Sequence, residues 1–307
     1  MAETKEIEKF IQHLQKEIET TEGDYLKADA IERLKEAAAS YYGEDKVISS
    51  HDLYESIKNR PPEKGIFTGY KDIDDILGGF RKKQLVVISA ATKSGKTSFC
   101  IEITSRIKEE SPLWLPFEEP AEELIMKFHE RGEQPPLFYT PEKMTGNTML
   151  WIEKKIVESK AKYGTNVVFI DHLHFIIQLK SERLDTDIGI TMRELKRIAK
   201  QWDVVIVLIA HMKKSKMEIR PELEDLRDSS FIAQEADTVI MLWRETKKEK
   251  GDIIITNNVN VSIQANRRNG KTGNVKMIFQ NGRFILDDWT KRDEDENKHG
   301  QDNDKEW

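Results

Sequence analysis

The stretch Leu85–Ser98, LVVISAATKSGKTS, decides the fold. Its first residues, Leu85–Ser89, form an apolar run that predicts a buried β-strand. The loop that follows ends in Gly95, Lys96 and Thr97, and a helical pattern of apolar residues comes next. Strand, glycine-containing loop and helix in this order predict a phosphate-binding loop, in which backbone N–H groups and the helix N-terminus face phosphate oxygens. The alternative for so short a motif is a plain surface turn.

The residue types of this loop predict binding of ATP together with Mg²⁺. The Lys96 ammonium is expected to reach the β- and γ-phosphate oxygens, and the Thr97 hydroxyl is expected to hold Mg²⁺. Alanine stands at the first position of the loop, where glycine is usual. The predicted ATP-binding residues are Ala90, Ala91, Thr92, Lys93, Ser94, Gly95, Lys96, Thr97 and Ser98.

Further apolar runs downstream predict the rest of a sheet. Four of them are separated by helical patterns, which is typical of parallel strands wrapped by helices: Leu113–Phe117, Val167–Ile170, Val204–Ile209 and Thr238–Leu242. Four more are closely spaced, with turn residues such as Asn257-Asn258 between them, and predict antiparallel hairpins: Ile253–Ile255, Val261–Gln264, Val275–Phe279 and Phe284–Leu286. We therefore expect an α/β fold with a mainly parallel sheet flanked by helices and antiparallel strands at its C-terminal edge.

Polar side chains follow three of the predicted parallel strands. Asp171 ends the second run and is expected to orient the waters of Mg²⁺, since open α/β sheets bind ligands at the carboxyl ends of their strands. Glu118 is our candidate for polarising the attacking water, and Glu119 is the second candidate. The alternative is that both glutamates merely form a solvated acidic cap. His211 is expected to contact the γ-phosphate. His172 and His174 lack a nearby third ligand in the sequence, so we interpret them as polar neighbours of the site and not as a metal pair.

Composition excludes several classes of protein. The 307 residues include one cysteine, which rules out an internal disulfide and a cysteine-rich zinc site. No apolar run approaches the ~20 residues that span a bilayer, and the N-terminus lacks the apolar segment of a signal peptide. We expect a cytoplasmic protein with no membrane partner.

The net charge of −6 lies mostly at the end of the chain. Residues 287–307 carry nine acidic and four basic side chains, a net −5, which leaves the preceding residues near −1. A nearly neutral body is compatible with a basic stripe for nucleic acid. Residues 289–307 are expected to be a disordered acidic tail; its terminal Trp307 either docks a partner protein or merely ends a solubilising segment.

Residues 1–62 are expected to form a helical N-terminal extension or linker, and 63–288 the catalytic domain. Ile7, Phe10, Ile11, Leu14 and Ile18 form one apolar stripe. A second helical pattern covers Ala28–Tyr42, and a third, shorter one covers His51–Lys58. Two interpretations stay open for the stripe: a solvated extension, or a surface that docks on the body or on a neighbouring subunit.

Together these motifs resemble the hexameric replicative DNA helicases of the DnaB family, over about 68–287. The segment Thr68–Asp74 with Gly78-Gly79-Phe80, the loop Ala90–Thr97 and the strand Ile170–Phe175 carry the resemblance, and Ala210–Lys214 is closer to the phage ring helicases. The resemblance implies a RecA-like P-loop NTPase core with Glu118 as the catalytic glutamate. Because only about 60 residues precede this core, it also implies a compact phage- or plasmid-type version.

Two later segments resemble parts of these helicases that act on DNA and on the neighbouring subunit. The segment 220–232 is similar to the loop that grips single-stranded DNA, which implies DNA contacts for Arg227, Asp228, Ser229 and Ser230. The segment 267–273 is similar to the one that carries an arginine finger, which implies that Arg268 reaches the ATP site of the next subunit. Asn266 replaces a lysine of the bacterial members, and Ser230 a glycine.

The function expected from these observations is ATP-dependent DNA unwinding by a ring, in the form of a homo-oligomer on single-stranded or forked DNA. The resemblance suggests a hexamer and 5′ to 3′ movement. It also implies a bacterial or phage-infected host cell and a replication partner that docks on the acidic C-terminal tail. Two alternatives stay open: a recombinase-type, DNA-dependent ATPase that forms filaments, and a nucleotide-switched loader or adaptor.

Overall fold

The computed structural model describes residues 12, 16, 47–61, 63–91, 94–107, 110–130, 132–177, 184–212, 221–225, 229–249 and 252–286, with only the backbone described at 184, 224, 229 and 230. Two units are distinguished, Met1–Glu63 and Lys64–Trp307. The predicted apolar stripe from Ile7 to Ile18, the predicted helix Ala28–Tyr42 and the predicted acidic tail lie outside the described residues.

Helices lie between the strands in the first part of the described chain, and the last four strands follow one another without an intervening helix. The helices are α1 (Ser50–Ile57), α2 (Lys71–Leu77), α3 (Lys96–Arg106), α4 (Ala121–Glu130), α5 (Met149–Tyr163), α6 (Leu184–Gln201) and α7 (Ser229–Glu235). The strands are β1 (Leu85–Ala90), β2 (Leu113–Pro116), β3 (Val167–Asp171), β4 (Val205–His211), β5 (Thr238–Glu249), β6 (Asp252–Asn266), β7 (Gly273–Gln280) and β8 (Arg283–Leu286). Short 3₁₀ turns cover Leu173–Phe175 and Leu223–Asp225.

The first unit contributes the described helix α1. Ser49 caps it, since its side chain accepts a hydrogen bond from the Asp52 N–H. Its apolar side chains Leu53, Tyr54 and Ile57 are exposed. The short helix predicted over His51–Lys58 is therefore present.

In the second unit the described strands form one sheet in the order β2-β3-β4-β1-β5-β6-β7-β8. Strands β2, β3, β4, β1 and β5 pair in parallel, and β5 to β8 pair antiparallel. The predicted α/β fold class, with antiparallel strands at the C-terminal edge, is confirmed. Among the described residues, no helix combines the length and the apolar character that crossing a membrane requires.

The parallel part of the sheet is buried on both faces, which explains why its strands are continuous apolar runs. On β1, Val86 and Ile88 belong to the core that includes Phe99 of α3. Leu85 and Val87 belong to the opposite core, which α5 and α6 cover. Helix α3 therefore packs on one face of β1, the strand that leads into the predicted phosphate-binding loop, and α5 and α6 pack on the other face.

The prediction of a turn at Asn257-Asn258 is wrong, because Ile253–Ile255 and Val261–Gln264 are parts of one continuous strand, β6. A register shift opposite Arg244 and Thr246 accommodates the two asparagines within the strand. The Arg244 guanidinium donates to the Thr256 carbonyl at 2.9 Å and to the Asn257 side chain at 3.0 Å. Side-chain hydrogen bonds to a bulge therefore take the place of the expected turn.

Asp237 connects the start of β1 to α6. Its carboxylate accepts a hydrogen bond from the Leu85 N–H at 2.7 Å and forms an ion pair with Lys196, and both charged side chains are 14 % exposed. Removing one member of such a pair leaves the other charge and an N–H group without a partner in a poorly solvated place.

We therefore expect Asp237→Ala to lower the free energy of unfolding by about 3 kcal/mol. Urea unfolding followed by circular dichroism measures this. The matched control is Glu158→Ala, which breaks contacts with Lys155 and Lys162 at the surface and should lower stability far less than Asp237→Ala. Equal losses for the two variants would contradict the importance assigned to the Asp237 pair.

Candidate active site

The phosphate-binding loop begins where β1 ends and leads into α3. Gly95 has φ +89°, and a Cβ atom at this position would lie 3.1 Å from the Phe284 ring. The position therefore requires glycine for its backbone conformation and also for its close contact with β8. Of the predicted ATP-binding residues, Ala90, Ala91 and Ser94–Ser98 are described, and Thr92 and Lys93 lie outside the described residues.

Lys96 is only 7 % exposed and points back over the end of β1. Its ammonium donates to the carbonyl oxygens of Ala90 and Ala91 at 3.2 and 3.4 Å, and it lies 3.1 Å from His211 Nδ1. Burial lowers the pKa of this lysine, while the carboxylates of Asp171 and Glu118 oppose the shift. An anionic ligand at the loop would favour the charged form, as a phosphate group does.

Asp171 ends β3 directly beside Thr97, and the Thr97 hydroxyl donates to Asp171 Oδ2 at 2.7 Å. The second carboxylate oxygen, Oδ1, is buried and has no hydrogen-bond partner among the described residues. Burial raises the pKa of Asp171 to about 6, and the Thr97 hydroxyl opposes this shift. A buried carboxylate oxygen without a partner, next to a hydroxyl, fits the oxygen ligands and bound waters that Mg²⁺ prefers.

The backbone of β3 positions Glu118. The Asp171 carbonyl accepts hydrogen bonds from the N–H groups of Phe117 and Glu118, at 2.6 and 3.0 Å, just beyond the end of β2. The Glu118 carboxylate lies 2.8 Å from His172 Nδ1. His172, described above as a polar neighbour of the site, therefore holds the glutamate at the same strand end as Asp171.

The two candidate glutamates have different partners in the structure. Glu119 forms an ion pair with Lys127 of α4, whereas Glu118 is oriented toward His172 and His211. The assignment of Glu118 as the catalytic residue stays a prediction, and the geometry favours it over Glu119.

His211 completes the cluster from the end of β4. Its Nε2 lies 3.8 Å from Glu118 Oε2, and its ring packs edge-on against His172 with centroids 4.1 Å apart. Burial and the nearby Lys96 ammonium lower the pKa of His211 to about 4, so the ring is neutral near pH 7. Since Nδ1 faces an ammonium donor, the neutral ring carries its proton on Nε2.

Arg268 lies near the amino ends of the parallel strands, whereas the cluster described above lies at their carboxyl ends. Val86 pairs with Thr238, and Thr238 pairs with Asn266, two residues before Arg268. The position is therefore level with the start of β1, whereas Lys96 follows its end; from Val86 to Ala90 the strand alone advances about 13 Å. The Arg268 guanidinium donates to the Gly78 carbonyl at 3.2 Å. The structure does not bring Arg268 to the Lys96 of its own chain.

The predicted DNA-binding residues are described only in part. Arg227 and Asp228 lie outside the described residues, and Ser229 and Ser230 begin α7, where only their backbone is described. Their contact with DNA stays a prediction.

The sequence reasoning missed the aromatic contact of the phosphate-binding loop. Phe279 and Phe284, on β7 and β8, lie against Gly95, and the Tyr70 hydroxyl donates to the Phe284 carbonyl at 3.0 Å. Most of the catalytic domain separates these aromatic side chains from the loop along the chain. Their alternation along β7 and β8 predicts strands but carries no signal for this particular partner.

Comparisons with known proteins identify the family of the chain. The chain matches the family described as the DnaB-like helicase C-terminal domain over residues 65–134 and 130–285. It is 27 % identical to the replicative DNA helicase DnaC of Bacillus subtilis over 273 residues, which is 76 % of this chain and 59 % of that protein. It is 24 % identical to the replicative DNA helicase DnaB of Haemophilus influenzae, covering 78 % and 58 % of the two chains. The chain thus spans about three-fifths of the length of these relatives.

Solved structures support the fold. A structure described as an ATPase domain superposes with a TM-score of 0.64 at 21 % identity, covering 77 % of this chain and 96 % of that one. A DnaB-like replicative helicase, solved in a study of its interactions with primase, gives a TM-score of 0.66 at 20 % identity and covers 91 % and 76 %. A KaiC-like protein of Pyrococcus horikoshii gives 0.55 at 15 % identity, covering 74 % and 100 %. The expected RecA-like core is confirmed.

The contrast between the two glutamates generates a prediction. We expect Glu118→Gln to lower the ATP hydrolysis rate at least about a hundredfold and to leave nucleotide affinity nearly unchanged, because the amide keeps the shape but cannot accept a proton. Glu119→Gln is the matched control and should retain most activity. Phosphate release and binding of a fluorescent ATP analogue measure the two quantities, and a larger loss for Glu119→Gln would reverse the assignment.

Proposed function

We propose that this chain, which belongs to the family of the DnaB-like helicase C-terminal domain, is an ATP-driven motor that moves along single-stranded DNA and separates duplex DNA. In this proposal the subunits form a ring, and hydrolysis takes place at the boundary between neighbouring subunits. A hexamer, 5′ to 3′ movement and a phage- or plasmid-type, cytoplasmic setting complete the proposal. The names of the relatives support it, and so does the arrangement of the site.

The residues at the carboxyl ends of the parallel strands divide the work on ATP. Lys96 binds the β- and γ-phosphate oxygens after leaving the strand carbonyls and His211, and its charge stabilises negative charge that develops there. Glu118, which His172 holds, accepts a proton from the attacking water. His211, a neutral donor through Nε2, is placed to respond to the γ-phosphate.

Thr97 and Asp171 would hold Mg²⁺, the Thr97 hydroxyl directly and the carboxylate through bound water. Bound Mg²⁺ supplies positive charge that orients the phosphates and offsets their negative charge. The observation that fits this role is the buried Oδ1 of Asp171, which has no hydrogen-bond partner in the part of the chain that the structure describes.

The single observation that carries the proposal is the position of Arg268 at the opposite end of the sheet from Lys96. Phosphoryl transfer to water is accelerated strongly by an arginine that stabilises the transition state. Within one chain the cluster of Lys96, Glu118 and Asp171 has no such contact from Arg268. The β6–β7 turn of a neighbouring copy can bring its Arg268 to this cluster. ATP hydrolysis then depends on assembly of the copies.

We expect Arg268→Ala to assemble and to bind nucleotide but to hydrolyse ATP about a thousandfold more slowly. Arg267→Ala is the matched control on the same turn, since that side chain donates to the Gln234 carbonyl of its own chain. Steady-state phosphate release, with mass photometry for assembly, measures the effect. Substantial ATPase activity of assembled Arg268→Ala would count against the finger.

Mixing two inactive variants tests whether the arginine acts across subunits. Lys96→Ala lacks the phosphate-binding ammonium and Arg268→Ala lacks the finger, yet a boundary that takes its loop from the second and its arginine from the first is intact. Random mixing restores up to about a quarter of the boundaries. A mixture no more active than the separate variants would contradict action in trans.

Electron microscopy of the chain with single-stranded DNA and a non-hydrolysable ATP analogue tests the motor itself. Closed rings with DNA in the central hole are the expected result. Filaments on DNA would favour the recombinase-type ATPase, and isolated monomers would favour the nucleotide-switched adaptor.

A further inference from the structure

Three side chains that the motor uses one by one also form a group with the composition of a transition-metal site. One ligand atom each from Glu118, His172 and His211 lies within 4.8 Å of the other two. Two of the separations are 2.8 Å, from Glu118 Oε2 to His172 Nδ1, and 3.8 Å, from the same oxygen to His211 Nε2. Three ligands around one zinc ion lie roughly 3.3 Å from one another, so small side-chain rotations close the site.

The surroundings of the group favour such closure. His172 is buried and its ring is fixed against that of His211, with centroids 4.1 Å apart. Glu118 is 39 % exposed and supplies the movable ligand and the path by which a cation arrives. Two imidazoles, a carboxylate and an open fourth position are the ligand set of many zinc sites.

We propose that Glu118, His172 and His211 bind a borderline divalent cation of the Zn²⁺ class, at a position separate from the one assigned to Mg²⁺. Mg²⁺ prefers oxygen ligands and keeps its waters, so the imidazoles select against it. The two cation positions are adjacent but chemically distinct, since Asp171 and Thr97 offer only oxygen atoms.

Lys96 is expected to weaken the binding of this cation. Its ammonium lies 3.1 Å from His211 Nδ1 and occupies that lone pair, which keeps the proton on Nε2. Metal coordination through Nε2 needs the lone pair of that nitrogen, so the ring proton moves to Nδ1, and a protonated Nδ1 cannot accept from Lys96. The cation and the Lys96–His211 contact therefore exclude each other.

A bound cation also holds the carboxylate of Glu118. In that state Glu118 cannot accept a proton from water, so ATP hydrolysis stops while the phosphate-binding loop stays free. This inhibitory consequence rests on the proposed function, whereas the binding of the cation does not.

Calorimetric titration of the nucleotide-free, full-length chain with Zn²⁺, and visible absorption after addition of Co²⁺, test the binding. One strong site per chain is expected, with the intense absorption of four-coordinate Co²⁺. His211→Asn and Glu118→Gln should each weaken it at least about a hundredfold. His129→Asn, on the exposed side of α4, is the matched control and should bind normally.

Lys96→Ala provides the result that an adventitious surface site does not give. Loss of the ammonium should tighten Zn²⁺ binding about tenfold, because a positive charge and a competing donor are both removed. Absence of a strong site, or binding unchanged in both His211→Asn and Glu118→Gln, would overturn the proposal.

A parallel ATPase assay separates the two proposals. Inhibition by Zn²⁺ that a chelator reverses supports both. Binding that requires His211 and Glu118 but leaves ATP hydrolysis unchanged supports the metal site and contradicts the catalytic role of Glu118.

Discussion

The parallel pairing of β2, β3, β4 and β1 is the constraint on which the site depends. The register aligns Ala90 with His211, and Asp171 with both Ile209 and Pro116. Because parallel strands bring all their carboxyl ends to one edge, residues distant in sequence meet there. Both faces of these strands are buried, and a shift of register would move apolar side chains as well as the site. The stability of the core and the geometry of the site are therefore set by the same hydrogen bonds.

The same sheet reverses direction after β5, and this reversal separates Arg268 from the cluster. Strand β6 runs antiparallel and returns the chain to the level at which the parallel strands begin. The β6–β7 turn therefore lies far from the loop at Lys96. The next hairpin comes back and places Phe284 against Gly95. Because the strand direction reverses after β5, Phe284 of the same chain packs against Gly95, while Arg268 lies away from the Lys96 of its own chain.

Local sequence predicted those features that local sequence determines. The strand, loop and helix of Leu85–Ser98 were predictable because burial on both faces, the glycine position and the helix pattern all lie in one segment. The continuous strand β6 was not, since the bulge at Asn257 is stabilised by Arg244 on the partner strand. The preference for Glu118 over Glu119 likewise needs the structure, because it rests on which partner each carboxylate meets, His172 or Lys127. Contacts between segments far apart in the chain leave no periodic signal in either segment.

The side chains of the site also stabilise one another when no nucleotide is bound, and this has a consequence for control. A buried ammonium or carboxylate without a partner is costly, and each of these side chains has at least one partner within the protein, although Asp171 Oδ1 has none among the described residues. Lys96 bonds to strand carbonyls and His211, Thr97 to Asp171, and Glu118 to His172. In the proposed function, nucleotide exchanges these contacts for its own, and the exchange at Lys96 changes the surroundings of His211 at the end of β4. Because β4 lies between β3 and β1, a change at His211 is adjacent to both halves of the phosphate site. The proposed function therefore couples binding of the γ-phosphate to the centre of the sheet through the His211 ring.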